Sequence, residues 1–315
     1  MLRLRLSAFW HPLQARAPSS HYFWVCLPLR QTQSSTPLQS QVVFHPRPPP
    51  PDDTLAAKQC VWDVSVTAAD KSVIWSSLTD NQSRARLLVV SAPQQRLVEC
   101  PVSCSMRHET GLEVVRVAVG LRLWVNLCEP HPCPCGAPVD ARGTYGLSSK
   151  LRAGRPTRHH QLNDLIWRAL VPSVKEPNGL FRSDVKRPDG LTLTPWQVGR
   201  CLAWVATVVN ALAASYIQAS STTAGSEAEG ASECKEAKYS AISQTRIFVP
   251  LAVETLGVIN QKGVKFLSEV ANRRTLVTHD PRESSFLFQR ISILIHRFNA
   301  TCFQGTFDQP AEAYF

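Results

Sequence analysis

Residues 186–190 read Lys-Arg-Pro-Asp-Gly, and an apolar run at 202–209 follows in the order Leu-Ala-Trp-Val-Ala-Thr-Val-Val. A stretch suited to helix then leads to Lys235 and to Lys238 beside Tyr239. A carboxylate on one strand, an acid on the next and a lysine beyond them is a layout for metal-assisted hydrolysis. Two carboxylates hold Mg2+, the metal lowers the pKa of a bound water, and the lysine orients or deprotonates that water. Asp189 is the candidate metal-binding and catalytic carboxylate, Lys235 or Lys238 the catalytic lysine, and Glu176 the upstream acid that completes the metal shell. Pro-Asp alone is a common turn, so the elements around it must carry the reading. Both lysines follow the apolar run by about thirty residues, so either reaches in from a neighbouring helix rather than from the strand. The plain alternative for them is a solvated helix face shared with Glu227, Glu229, Glu233 and Glu236.

A second cluster carries thiols. Residues 128–136 contain Cys128, His131, Cys133 and Cys135, with Pro130, Pro132 and Pro134 between them. Prolines at that density forbid regular helix and leave a tight loop, which is how small zinc knuckles present their ligands. A knuckle that begins Cys133-x-Cys135 needs a second ligand pair one loop away, where this chain has Tyr145 and Ser149. Both are poor zinc ligands, and Cys128 and His131 as replacements would crowd four donors into one short loop, so Zn2+ is not an expected cofactor. A Pro-rich turn with ordinary cysteines is the alternative. Arg155, Arg158 and His159 come next, ahead of an amphipathic stretch with Leu162, Ile166, Trp167 and Leu170 on one face. Those cations are placed for phosphate contacts in DNA or RNA, or else form a solvated basic loop.

The elements that must position these residues fit within 315 residues, of which 44% are hydrophobic and 18% charged. That composition buries a core and excludes a wholly disordered chain. Ten cysteines are too sparse for a disulfide scaffold. The net charge of +10 is unevenly placed, because residues 1–51 hold five arginines and no acid. This leader, 1–55, reads as basic, Pro-rich and disordered, ending in the polyproline stretch 46–51. Its Arg-containing, acid-free start allows a mitochondrial presequence, with a nuclear or cytoplasmic protein as the main expectation. The apolar run 201–217 is short and carries Thr207, Asn210 and Ser215, which suits a buried strand feeding a helix and not a membrane span.

From about Trp62 to Phe307 the order of short blocks resembles the C-terminal region of non-LTR retrotransposon reverse-transcriptase polyproteins that carry a restriction-like PD-(D/E)xK endonuclease. The matching pieces are residues 117–123 (Val-Ala-Val-Gly-Leu-Arg-Leu), the Cys133/Cys135 knuckle start, Arg158-His159, Asn163-Asp164 and Glu176-Pro177-x-Gly179-Leu180. They continue with residues 186–190, Pro195-Trp196, Gly199-Arg200, Lys235-x-x-Lys238-Tyr239, Glu254-Thr255-x-Gly257 and Gln289-Arg290-x-Ser292. No Tyr/Phe-x-Asp-Asp polymerase motif occurs.

The resemblance implies an α/β fold with a restriction-endonuclease-like core at 161–307, preceded by a degenerate zinc knuckle at 126–160. A mostly helical linker region at 56–125 would stand ahead of the knuckle, and 308–315 would be a tail. It also implies ligands that this chain lacks: Val205 stands where a metal-binding Asp is expected, Tyr145 where a knuckle His is, and Ser149 where a Cys is. Each replacement removes a donor. The expected function is therefore a retrotransposon remnant that ancestrally nicked DNA with Mg2+ and is now inactive. A non-enzymatic nucleic-acid binder on Arg155, Arg158 and His159, and a live nuclease on Asp189 and Glu176, are the alternatives.

Overall fold

The structure, a computed structural model, describes residues 59–92, 111–149, 154–170, 172–178 and 187–307; the leader and the tail lie outside them. Contacts divide the chain into two units at Ile74. In the first unit the described residues belong to one helix, α1 (Gln59–Ser77), which continues past the division.

The second unit is a mixed α/β fold. Its helices α2 (Asn81–Val90) and α3 (Leu112–Leu123) precede a small hairpin, β1 (His131–Pro132) with β2 (Pro138–Val139), and a 3-10 turn at Thr144–Leu147. Helix α4 (Gly154–Ala169) follows and runs across residue 160, so the knuckle segment and the following region share a helix. Then come β3 (Ser173–Lys175), β4 (Gly190–Thr192) and β5 (Leu202–Val209). Helices α5 (Ile217–Ser220), α6 (Ser226–Lys238) and α7 (Ser240–Thr245) connect β5 to β6 (Ile247–Glu254). Helices α8 (Gln261–Thr278) and α9 (Glu283–Gln304) complete the unit.

The sheet order is β3-β4-β5-β6, antiparallel up to β5 and parallel between β5 and β6. Strand β5 is buried on both faces over Leu202 to Ala206, which is why the sequence there is an unbroken apolar run and not an alternating one. Its side chains still alternate. Leu202, Trp204 and Ala206 pack with Leu162 and Ile166 of α4, Phe266 and Val270 of α8, and Ile291 of α9. Ala203 and Val205 point the other way, to Tyr239 and Ile242 at the α6–α7 junction. Lys235 and Lys238 are thereby carried on the crossover helix that covers the Val205 face, as the spacing implies.

A second core joins the hairpin region to the helices: Leu127, Leu147, Leu256 and Phe303 pack with Val117 and Leu121 of α3. Under it runs a buried polar chain. Arg158 donates to Asn299 Oδ1 at 2.8 Å, Asn299 donates to the Thr255 carbonyl at 2.6 Å, and Thr255 Oγ1 meets Asn210 Oδ1 at 3.1 Å. Each group is withdrawn from water, so each must be bonded inside. Among the described residues no helix is long and apolar enough to cross a membrane.

Candidate functional site

Asp189 sits at the head of β4, fixed on three sides. Its N–H donates to the Trp204 carbonyl at 2.9 Å, and its carbonyl accepts from Glu176 N–H and Asn163 Nδ2, each at 3.1 Å. Its carboxylate oxygen Oδ2 accepts the Ala206 N–H at 2.7 Å, which ties the side chain to β5 beside Val205. Behind it the Trp204 indole, fully buried, donates to Asn163 Oδ1 at 2.9 Å, so Asn163 bridges Trp204 and the Asp189 backbone. Gly190 is required by the same packing, because a Cβ there would stand 1.9 Å from the Trp204 ring. Asn163, Gly190 and Trp204 are positioning residues whose role at the site rests on contacts distant in the chain. The signal was there in part, since a buried indole N–H needs an acceptor.

His159, on the exposed side of α4, brings Nε2 to 3.6 Å from Asp189 Oδ1. That distance is an ionic contact and not a hydrogen bond. The Asp189 carboxylate holds the imidazole above its ordinary pKa against burial, which pulls it down. Lys235 is half-buried on α6, and burial, helped by Lys238, lowers its ammonium pKa while Asp189 opposes the shift. No hydrogen bond or ion pair to another described residue holds that ammonium. The structure thus brings Asp189, His159 and Lys235 together, and pairs Glu176 with Asp189 through the backbone. Glu176 is in the left-handed region at φ 44, a conformation that non-glycine residues adopt at a cost of about 1–2 kcal/mol. Lys238 is exposed, with its ammonium 5.3 Å from the Tyr239 ring centroid. Tyr239 in turn donates its hydroxyl to the Arg187 carbonyl at 3.0 Å, closing α6 onto the Asp189 approach.

The site does not fit a divalent metal. Val205, 3% exposed, presents methyl groups to Tyr239 and Ile242 beside the carboxylate, and one Asp189 oxygen is committed to Ala206. Among the described residues no three His, Cys, Asp or Glu side chains converge as metal ligands.

The Cys-rich segment forms a tight turn. Cys133 N–H donates to the Ala137 carbonyl at 2.8 Å and Gly136 N–H to the Cys133 carbonyl at 2.7 Å, with Gly136 at φ 85. The four positions of interest are adjacent: Cys135 Sγ lies 3.0 Å from the Tyr145 hydroxyl, and Ser149 is buried next to Tyr145. The Tyr145 hydroxyl, with the Ala137 N–H and the Cys133 side chain, lowers the Cys135 thiol to about 7. Ser149 Oγ makes no hydrogen bond of good geometry although it approaches Tyr145. Two thiols with a phenol and a buried hydroxyl do not make a zinc tetrahedron. His131 is used elsewhere: one ring nitrogen is 3.0 Å from Thr306 Oγ1, and the ring stacks on Phe307. Cys128 points at the Asp140 and Ala141 carbonyls.

Of the three residues expected to contact nucleic acid, Arg155 is exposed and His159 half-exposed. Arg158 differs. It is 2% exposed and spends its guanidinium on Asn299 and the Leu147 carbonyl, so it holds α4 to α9 and has no face for a phosphate. No family model matches the chain, and no curated protein matches it either.

Proposed function

We propose that this chain is a remnant of a non-LTR retrotransposon polyprotein, with a restriction-endonuclease-like domain that has lost DNA cleavage while keeping its scaffold. The observation that carries this reading is the pairing of a fully positioned Asp189 with an apolar Val205 at the next strand. Asn163, Gly190, Trp204 and the Ala206 N–H hold one carboxylate in place, and the neighbouring position that would supply the second is closed into a hydrophobic cluster. A β-branched residue suits a buried strand, so losing the acid spares the fold. The knuckle supports the same reading, since its turn persists with half its donors replaced. The expected partner is DNA or RNA, met in the nucleus or cytoplasm.

The test is nicking of supercoiled plasmid by the full chain and by Val205→Asp, each with Mg2+ or Mn2+. Silence from the natural chain and cutting by the variant supports the proposal. Cutting by the natural chain, abolished by Asp189→Ala, overturns it.

A further inference from the structure

A site that loses a metal ligand loses negative charge with it, and the residues left behind are mostly cations. Around Asp189 stand His159 and Lys235, with Lys238 acting on Lys235 and Arg187 two residues ahead of Asp189 in the chain, against two carboxylates, Asp189 and Glu176. Asp189 is already engaged at both oxygens, one on the Ala206 N–H and the other facing His159. The cations are less occupied. Two other lysines of this unit are paired, Lys175 with Asp164 and Lys262 with Glu236. Lys235 makes no ion pair or hydrogen bond with a described residue, and the exposed Arg187 guanidinium makes none either, although its carbonyl is pinned by Tyr239. Arg155 lies one turn ahead of His159 on α4, at the i, i+4 spacing that puts both on one face.

We propose that the Asp189 strand end binds a backbone phosphate of nucleic acid directly, on Lys235, Arg187 and His159, with no divalent cation. This deepens the preceding reading and rests on it. In a site with a second acid, phosphate and carboxylates repel each other and a metal must bridge them. Here Val205 contributes no charge, so one carboxylate fewer opposes the phosphate, and the ammonium and guanidinium can meet it as in any phosphate contact made by Lys and Arg. Arg155 extends the cationic face along α4 for a neighbouring phosphate.

The experiment is fluorescence polarisation of a labelled DNA oligonucleotide with the full chain in EDTA, repeated with Mg2+, with inorganic phosphate and chloride compared as competitors at equal ionic strength. Binding should persist in EDTA, and phosphate should displace the DNA more effectively than chloride. Arg187→Ala with Lys235→Ala should weaken it at least about tenfold, the loss of two phosphate contacts. Lys235→Glu, a charge reversal at this half-buried position, should do so alone in a chain whose thermal unfolding is unchanged. Val205→Asp should weaken EDTA-resistant binding several-fold, because it places a carboxylate beside the phosphate. Binding abolished by EDTA, displacement no better than by chloride, or affinity unchanged in both Lys235 variants overturns the inference. If metal-free binding fails while Val205→Asp nicks DNA, the endonuclease reading stands and this inference falls. If the natural chain binds as expected while Val205→Asp never cuts, the phosphate site stands and the endonuclease reading falls.

Discussion

At the knuckle, Tyr145 stands where the resemblance expects a histidine, and its hydroxyl has taken up the Cys135 thiol at 3.0 Å. At β5, Val205 stands where the resemblance expects an aspartate, and it packs with Tyr239 and Ile242 beside the Ala206 N–H that holds Asp189. The difference follows from burial. Tyr145 is half-exposed beside a turn, where its hydroxyl meets the Cys135 thiol. Val205 is enclosed on a central strand, where an unpaired carboxylate would be costly and a methyl group is not. In the proposed reading, one site is rewired and the other sealed. A rewired site should be restorable by replacing its donors, whereas the sealed one should resist a charge unless a cation accompanies it.

The largest effect expected from this contrast is at the knuckle. Tyr145→His with Ser149→Cys should create a Co2+ site with tetrahedral visible absorbance and stabilise the chain by several kcal/mol when Zn2+ is added, on the order seen for structural zinc. No tetrahedral spectrum would show that the turn has drifted from ligand geometry.

A second effect concerns Glu254, at the end of β6. It is fully buried, and its oxygens approach the Glu227 and Ala228 N–H groups at the start of α6 without a hydrogen bond of good geometry. Burial raises its pKa to about 7, with the Glu227 charge adding to the rise. Because the folded pKa exceeds the unfolded one, the proton on Glu254 stabilises the fold fully below about pH 4.5, and that stabilisation is lost as pH rises towards 7. Glu254→Gln should therefore leave stability little changed at low pH and raise it by up to about 3 kcal/mol at pH 8. Denaturant unfolding at the two pH values checks this; an equal effect at both would contradict it.

Gly190→Ala comes next, since its methyl would press into the Trp204 indole and displace the Asp189 anchor. A loss of about 1–3 kcal/mol is expected from such overpacking, measured by thermal or denaturant unfolding. Stability unchanged would mean that the indole can move aside.

The smallest effect is kinetic. Near neutral pH, iodoacetamide should label half-exposed Cys135 ahead of Cys133, which is 2% exposed, and Tyr145→Phe should slow the Cys135 reaction by removing the hydroxyl that stabilises its thiolate. Equal labelling rates in both forms would break the idea that the phenol has been recruited to the thiol.

Much of the frame was legible in the sequence. The apolar run at 202–209 is β5, the stretch carrying Lys235 is α6, and the Pro-rich thiol segment is a tight hairpin. These features are local, written in runs, prolines and helix formers. What was not legible depends on partners far along the chain. Arg158 lies in a polar, histidine-rich stretch that reads as surface, yet Asn299 waits for it 141 residues later. Trp204 reads as a core residue, and only the fold shows that its indole, through Asn163, holds the strand that carries Asp189. Glu254 ends a buried parallel strand, where nothing in the local pattern distinguishes a charge in water from one in the core.

In the proposed reading an intact scaffold lacks one carboxylate, and Mn2+ binding followed by electron paramagnetic resonance reports on that carboxylate. The natural chain should show no saturable binding in the submillimolar range. Val205→Asp should bind Mn2+ at least about tenfold more tightly, and adding Asp189→Ala should remove that gain, because both carboxylates are needed to hold the ion. Natural chain and Val205→Asp variant binding Mn2+ equally well would contradict a metal carboxylate missing at position 205.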